Sequence, residues 1–113
     1  MIRLDQAFAA LADPTRRGIV AHLARGEASV SDLVGLFSLK QPTISSHLKV
    51  LESAGLISRR RVAQSRPCKL ETAPLKAATD WLEKVQETWE GSYKRLDALL
   101  AELKQAHKEE RKK

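Results

Sequence analysis

Two stretches of this 113-residue chain hold the side chains best suited to chemistry. In the segment Gln41-Pro42-Thr43-Ile44-Ser45-Ser46-His47-Leu48-Lys49-Val50-Leu51, helical rotation of about 100° per residue turns Ile44, Leu48 and Leu51 to one side. Pro42, Ser45, Ser46 and Lys49 turn to the other, with Gln41 and Thr43 at its rim. Small hydroxyls, one amide and one ammonium leave nothing bulky in the way of a partner and offer hydrogen bonds to base edges or phosphates. Ser and Thr are among the less specific base partners, so this face taken alone serves equally well as a solvated helix surface. The second stretch places Arg59, Arg60, Arg61, Arg66 and Lys69 within eleven residues, with no acid from 58 to 70. Five such cations repel one another unless a polyanion is near, which favours a phosphate-rich partner over a solvated charge run. Strand alternation sends Arg59 and Arg61 to one face and Arg60 to the other, so the arginines are not expected to act as a single row.

Other reactive side chains are few. Cys68 is the only cysteine, which excludes an intramolecular disulfide and a thiolate cluster for zinc. Arg66 and Lys69 beside it would favour its thiolate, making it a candidate redox sensor, although the chain has no resolving thiol and an inert strand cysteine is the simpler reading. His22 falls on a helix beside Leu23, and His47 flanks the apolar stripe, so packing or a hydrogen bond accounts for both. No Ser/His/Asp or Cys/His set and no glycine-rich phosphate loop is present, which argues against an enzyme.

The elements that would carry these groups follow from spacing. Leu4, Ala7, Phe8 and Leu11 mark a first amphipathic helix. Asp13-Pro14 starts a second that runs to about Leu23 and ends before Gly26. Ser29 and Asp32 have capping-box spacing ahead of a short third helix with Val30, Leu33, Val34 and Phe37 inward. After the turn Ser38-Leu39-Lys40, a fourth helix begins around Pro42 and is capped by Gly55. Leu56-Ile57-Ser58 then reads as a strand, Ala63-Gln64-Ser65 as a turn, and Lys69-Leu70-Glu71-Thr72 as a returning strand that Pro67 confines to a sheet edge. A long helix follows from about Pro74. Its apolar or small residues, among them Leu75, Ala78, Leu82, Val85, Trp89, Ser92, Leu96, Leu99 and Leu103, form a heptad seam that needs a partner. Gly91 and Ser92 lower helix propensity locally and allow a bend.

The expected fold class is therefore mainly α with a small β-hairpin, in the order α-α-α-α-β-β-α, a winged helix-turn-helix. Residues 1–106 are expected to form one domain including terminal dimerisation helices, with a charged, frayed tail over 107–113. In this architecture the second helix of the pair enters the major groove while the wing tracks phosphates. About 30 residues of helix span roughly 45 Å, more than so small a domain can cover, so a homodimer is expected, with Leu4, Phe8 and Leu11 joining Leu82, Trp89, Leu96 and Leu99.

Charge placement agrees. The net charge is +6, with 42% hydrophobic and 30% charged residues, a globular composition. The segments 1–57, 58–70, 71–103 and 104–113 carry balances of +1, +5, −3 and +3. The wing segment thus holds most of the excess and the long helix is acidic. No apolar run has the length of a membrane span and the first residues lack a signal-peptide layout, so a cytoplasmic protein is expected.

The runs Leu11-Ala12-Asp13-Pro14-Thr15-Arg16-Arg17, Gln41 to Leu51, and Ala54-Gly55-Leu56-Ile57 with the following arginines closely resemble the ArsR-type (ArsR/SmtB) winged-helix repressors. The resemblance extends from Leu4 to about Leu103. It implies a homodimer built from the first and last helices that binds a palindromic operator and represses transcription until a signal releases it. It places Gln41, Thr43, Ser45 and Ser46 at operator-contact positions. Metal-sensing members have a Cys-Val-Cys-Asp box where this chain has Ser29-Val30-Ser31-Asp32, and serine hydroxyls are poor ligands for soft ions. The family's second metal site needs histidine on the last helix, which here has none before His107. The chain thus resembles the subgroup without metal sensing: no cofactor is expected, and the inducer is not indicated. A second reading keeps the DNA contact but has the long helix mainly recruit a partner protein.

Overall fold

The computed structural model describes residues 3–62 and 65–111. Its elements are α1 (Leu4–Ala10), α2 (Pro14–Leu23), β1 (Ala28–Ser29), α3 (Val30–Phe37), α4 (Gln41–Ser53), β2 (Ile57–Arg59), β3 (Pro67–Leu70) and α5 (Thr72–Arg111). They fall into two compact units that meet in sequence at Thr79 and Asp80. The first holds α1 to β3 and the opening turns of α5; the second is the remainder of α5.

The joint between α1 and α2 is built by Asp13 to Arg17. Asp13 Oδ2 accepts from the Arg16 backbone N–H at 3.0 Å and caps α2, with Pro14 at the first helical position. The arginine side chains turn back onto the carbonyls that α1 leaves unpaired. Arg16 Nε donates to Ala10 O at 2.6 Å and its Nη2 to Ala9 O at 3.3 Å, while Arg17 Nη1 donates to Leu11 O at 2.8 Å. Two cations at a helix C-terminus also oppose its partial negative charge.

The expected capping box of α3 is present in both directions. Ser29 Oγ accepts from the Asp32 N–H and Asp32 Oδ2 accepts from the Ser29 N–H, each at 3.1 Å. Between α3 and α4, Ser38 takes a left-handed conformation at φ 53°, which reverses the chain within three residues. The hydrophobic core forms where these helices meet: Ile19, Leu33, Ile44, Leu48, Leu51 and Leu56 are fully buried. The α2–α3 approach is close enough that a β-carbon on Gly18 would lie 2.8 Å from Phe37 Cε1.

The sheet differs from the expected hairpin. It has three strands in the order β1-β3-β2, both pairings antiparallel. Pro67 therefore does not sit on an edge: it opens the central strand, opposite Ser29. The proline is tolerated because it is the first strand residue, where one missing donor is cheap, and its carbonyl still accepts from the Arg60 N–H at 3.1 Å. The returning strand begins at Pro67 and stops at Leu70, because α5 already starts at Thr72. Of the expected turn, residues 63 and 64 lie outside the described residues; Val62 and Ser65 pair across it.

α5 begins against the core, with Pro74 and Ala78 buried and Leu75 packed on the cluster. Ser58 Oγ donates to Glu71 Oε1 at 2.7 Å, tying the strand that leads into the wing to the start of this helix. The helix runs without interruption through Gly91 and Ser92 and includes His107 to Arg111. Every residue from Asp80 to Glu110 except Gly91 is exposed. Trp89 is 68% exposed and Leu96 and Leu99 each 52%, a poor state for large apolar side chains. No helix among the described residues is long and apolar enough to cross a membrane.

Candidate nucleic-acid interface

The buried stripe of α4 decides what the helix presents outward. Ile44, Leu48 and Leu51 are at 0% exposure, and this pins the rotation of the helix about its axis. Gln41, Pro42, Thr43, Ser46 and Lys49 are consequently exposed and Ser45 half-buried. Only a face of small polar groups is offered. α4 begins without a side-chain cap on its first turn. His47 sits at the edge of the stripe, its Nδ1 3.3 Å from Arg16 Nη1 and 3.9 Å from Asp13 Oδ2. It thereby ties the outward-facing helix to the α1–α2 joint, a packing role.

The wing cations are not equivalent. Arg59 ends β2 and is mostly covered; its Nε lies 3.6 Å from Glu52 Oε2, an ion pair slightly too long for a hydrogen bond, and has no other partner. Arg60 and Arg61 follow the strand and are exposed. Arg60 Nη2 donates to Glu27 Oε2 at 2.6 Å. The absence of acids from 58 to 70 therefore overstated the mutual repulsion: Glu52 comes from α4 and Glu27 from the segment before β1. Neither partner was visible from spacing, because both are brought in by the fold.

Two clefts join the outward face of α4 to the wing. One, of about 600 Å³, is lined by Ser29, Val30, Ser31, Gln41, Ser45, Arg59, Ser65 and Arg66. The other, of about 340 Å³, is lined by Lys49, Glu52, Arg59, Arg60, Arg61 and Arg66. Arg59 and Arg66 border both. Gln41, Ser45, Lys49 and four of the five wing cations are thus brought to one surface, while Thr43, Ser46 and Lys69 are exposed but line neither cleft. Sequence reasoning missed Ser29 and Ser31 as neighbours of that surface. The only available signal was their position at the start of the helix preceding α4.

Cys68 lies elsewhere in character from the expected sensor. It is fully buried in the central strand, paired with Ala28 on one side and Arg59 on the other. Burial pushes its thiol pKa up, Arg59 opposes this and Glu52 adds to it. Arg66 and Lys69 therefore do not hold it as a thiolate, as the sequence neighbourhood suggested; the Sγ makes only a weak contact with the Arg66 carbonyl at 3.8 Å. Asp13 and Asp32 are acidified by hydrogen bonds, chiefly from the backbone N–H groups of Arg16 and Ser29 respectively. Their charge is spent on capping. Ser29 likewise caps a helix at the place where metal-sensing relatives have a ligand.

A pair of helices joined by a three-residue turn, followed by a small sheet with a basic extension beside the second helix, is a winged helix-turn-helix. Residues 13–59 match the family model described as bacterial regulatory protein, arsR family. The chain is 34% identical over 79 residues to transcriptional repressor SdpR of Bacillus subtilis, covering 70% of this chain and 88% of that one. It is 41% identical over 73 residues to the HTH-type transcriptional regulator Rv2034 of Mycobacterium tuberculosis, covering 65% and 68%. The crystal structure of an ArsR family transcriptional regulator superposes with a TM-score of 0.72 at 40% identity, covering 77% and 90%. The chain belongs to the arsR family of bacterial transcriptional regulators. It is not an enzyme.

Proposed function

We propose that the protein represses transcription in the cytoplasm as a homodimer on a palindromic operator, with no thiolate metal site. The observation that carries this reading is the continuous surface of Gln41, Ser45 and Lys49 with Arg59, Arg60, Arg61 and Arg66 across the two clefts. Base edges meet Gln41, Thr43, Ser45 and Ser46; Lys49, the wing arginines and Lys69 hold phosphates. The half-exposed leucines of α5 and the half-buried Leu4, Phe8 and Leu11 of α1 supply apolar surface for a second copy. Metal-sensing chemistry of the thiolate kind has no ligands at Ser29 and Ser31.

Binding to the protein's own upstream DNA, compared with random duplex across a salt series, tests the reading. A repressor prefers one palindrome by a large factor, and its affinity falls steeply with salt. Arg60→Ala and Arg61→Ala should weaken both duplexes alike, whereas Gln41→Ala and Ser46→Ala should mainly erode the preference. Equal loss of preference in both groups contradicts this division of roles. A monomer in sedimentation at micromolar concentration contradicts the dimer and favours the second reading, in which α5 binds another protein.

A further inference from the structure

The larger cleft contains more than the DNA-binding reading requires. Two cations, Arg59 and Arg66, three hydroxyls, Ser29, Ser31 and Ser45, and the Gln41 amide converge on it from the β1–α3 junction, the start of α4, the end of β2 and the wing. No carboxylate lines it: Asp32 is turned onto the Ser29 amide and Glu52 reaches Arg59 from the other cleft. Two observations show unmet hydrogen-bonding capacity there. Arg59 Nε is buried with no hydrogen-bond partner, and α4 starts with no side chain capping its first turn. Both demands are met by the same ligand, a tetrahedral oxyanion. At about 600 Å³ the cleft matches the room of small-molecule sites, enough for a sugar-phosphate unit rather than a bare ion.

We infer that this cleft seats one phosphodiester of the bound DNA strand, with Arg59, Arg66 and the Ser31 hydroxyl as its ligands. The inference rests on the DNA-binding reading and adds a defined anchor to it. The phosphate sits between the recognition helix and the wing, so it fixes the depth of α4 in the groove. Ser31 becomes a positioning contact that carries no base preference.

Ser31→Asp tests this cleanly. Ser31 is exposed at the second position of α3, where an acid is favourable to the helix, so the fold is not at risk and thermal stability should stay level or rise. Binding of the upstream duplex and of random duplex should both weaken by about tenfold at 0.1 M salt, and the salt slope should fall by about one. Ser31→Ala should show a smaller loss on both duplexes. If Ser31→Asp leaves affinity within about twofold while Arg60→Ala and Arg61→Ala weaken binding, the phosphate seat is wrong and the DNA-binding reading stands. If the wild type itself binds no duplex, that reading fails first and the seat with it. Inorganic phosphate at matched ionic strength separates the two sources of the ligand. Ser31 and Ser45 amide resonances that move with inorganic phosphate but not with duplex would assign the cleft to a free anion and overturn the phosphodiester.

Discussion

Arg60 is held before DNA arrives, and removing its holder gives a quantitative test of the interface. Its guanidinium lies 2.6 Å from the Glu27 carboxylate, with the arginine side chain 60% and the glutamate 38% exposed. To reach a phosphate the guanidinium must leave that carboxylate. An exposed pair of this kind contributes about 0.2–1 kcal/mol. In a homodimer two such pairs are broken, so the free protein is stabilised relative to the complex by about 0.4–2 kcal/mol. Glu27→Gln removes that cost, and the affinity for duplex should rise by about 2- to 30-fold. Fluorescence anisotropy on a labelled upstream duplex near 0.1 M salt reads the change, and the same measurement in an Arg60→Ala background isolates the pair from the general loss of a negative charge. The gain should shrink in that background. Weaker binding by Glu27→Gln, or an equal gain with and without Arg60, would refute the idea that this ion pair competes with the phosphate. Stability should change by no more than about 1 kcal/mol, which a thermal melt can verify.

Two helix glycines should respond with opposite signs. Gly35→Ala meets nothing within 4 Å and should stabilise by about 0.5–1 kcal/mol in chemical unfolding. Gly18→Ala drives a methyl into the Phe37 ring and should destabilise by about 1–3 kcal/mol, with Phe37→Leu restoring part of the loss. Stabilisation by both would show that the α2–α3 approach is looser than described. Cys68 should resist alkylation near pH 8 in the native protein and react rapidly once unfolded; equal rates would place the thiol at the surface. Asp13 has its folded-state pKa below the usual 3.8, so its contribution is present at neutral pH and is lost as pH falls through the folded value. Asp13→Asn keeps a good helix cap but should lose part of that acid dependence, and acid unfolding curves that superpose would contradict the assignment.

The helices were legible because each carries several independent signals. Asp13-Pro14, the Ser29 and Asp32 pair and the stripe Ile44, Leu48 and Leu51 combine capping chemistry with periodicity, and all appear where expected. β1 was not legible, since two residues show no alternation and Ala28-Ser29 carries no strand propensity. Missing it displaced everything that depends on sheet order. Pro67 looked like an edge residue and Cys68 like a wing residue because a hairpin has two edges, whereas the third strand makes β3 central and turns Cys68 into the core. The site was legible in composition and only partly in arrangement. Gln41, Ser45 and the arginines share a surface, but the acids that hold Arg59 and Arg60 come from 7 and 33 positions away in sequence.

The dual use of Ser29 constrains how this scaffold can change length. It is at once the last residue of β1, opposite Pro67, and the residue whose hydroxyl and amide close the first turn of α3. An extra residue inserted between Ser29 and Val30 cannot satisfy both neighbours: keeping the strand register undoes the helix cap, and keeping the cap slips the strand, which reverses the face of every side chain on it. The chain has no slack there. Variation in length is instead absorbed before Ala28, in the exposed stretch from Ala24 to Glu27, where Gly26 already has a positive φ of 156° and no neighbour within 4 Å of a built β-carbon. Grafted peptides or reporter tags placed in that stretch should leave the angle between wing and α3 intact, whereas the same insertion two residues later should unfasten it.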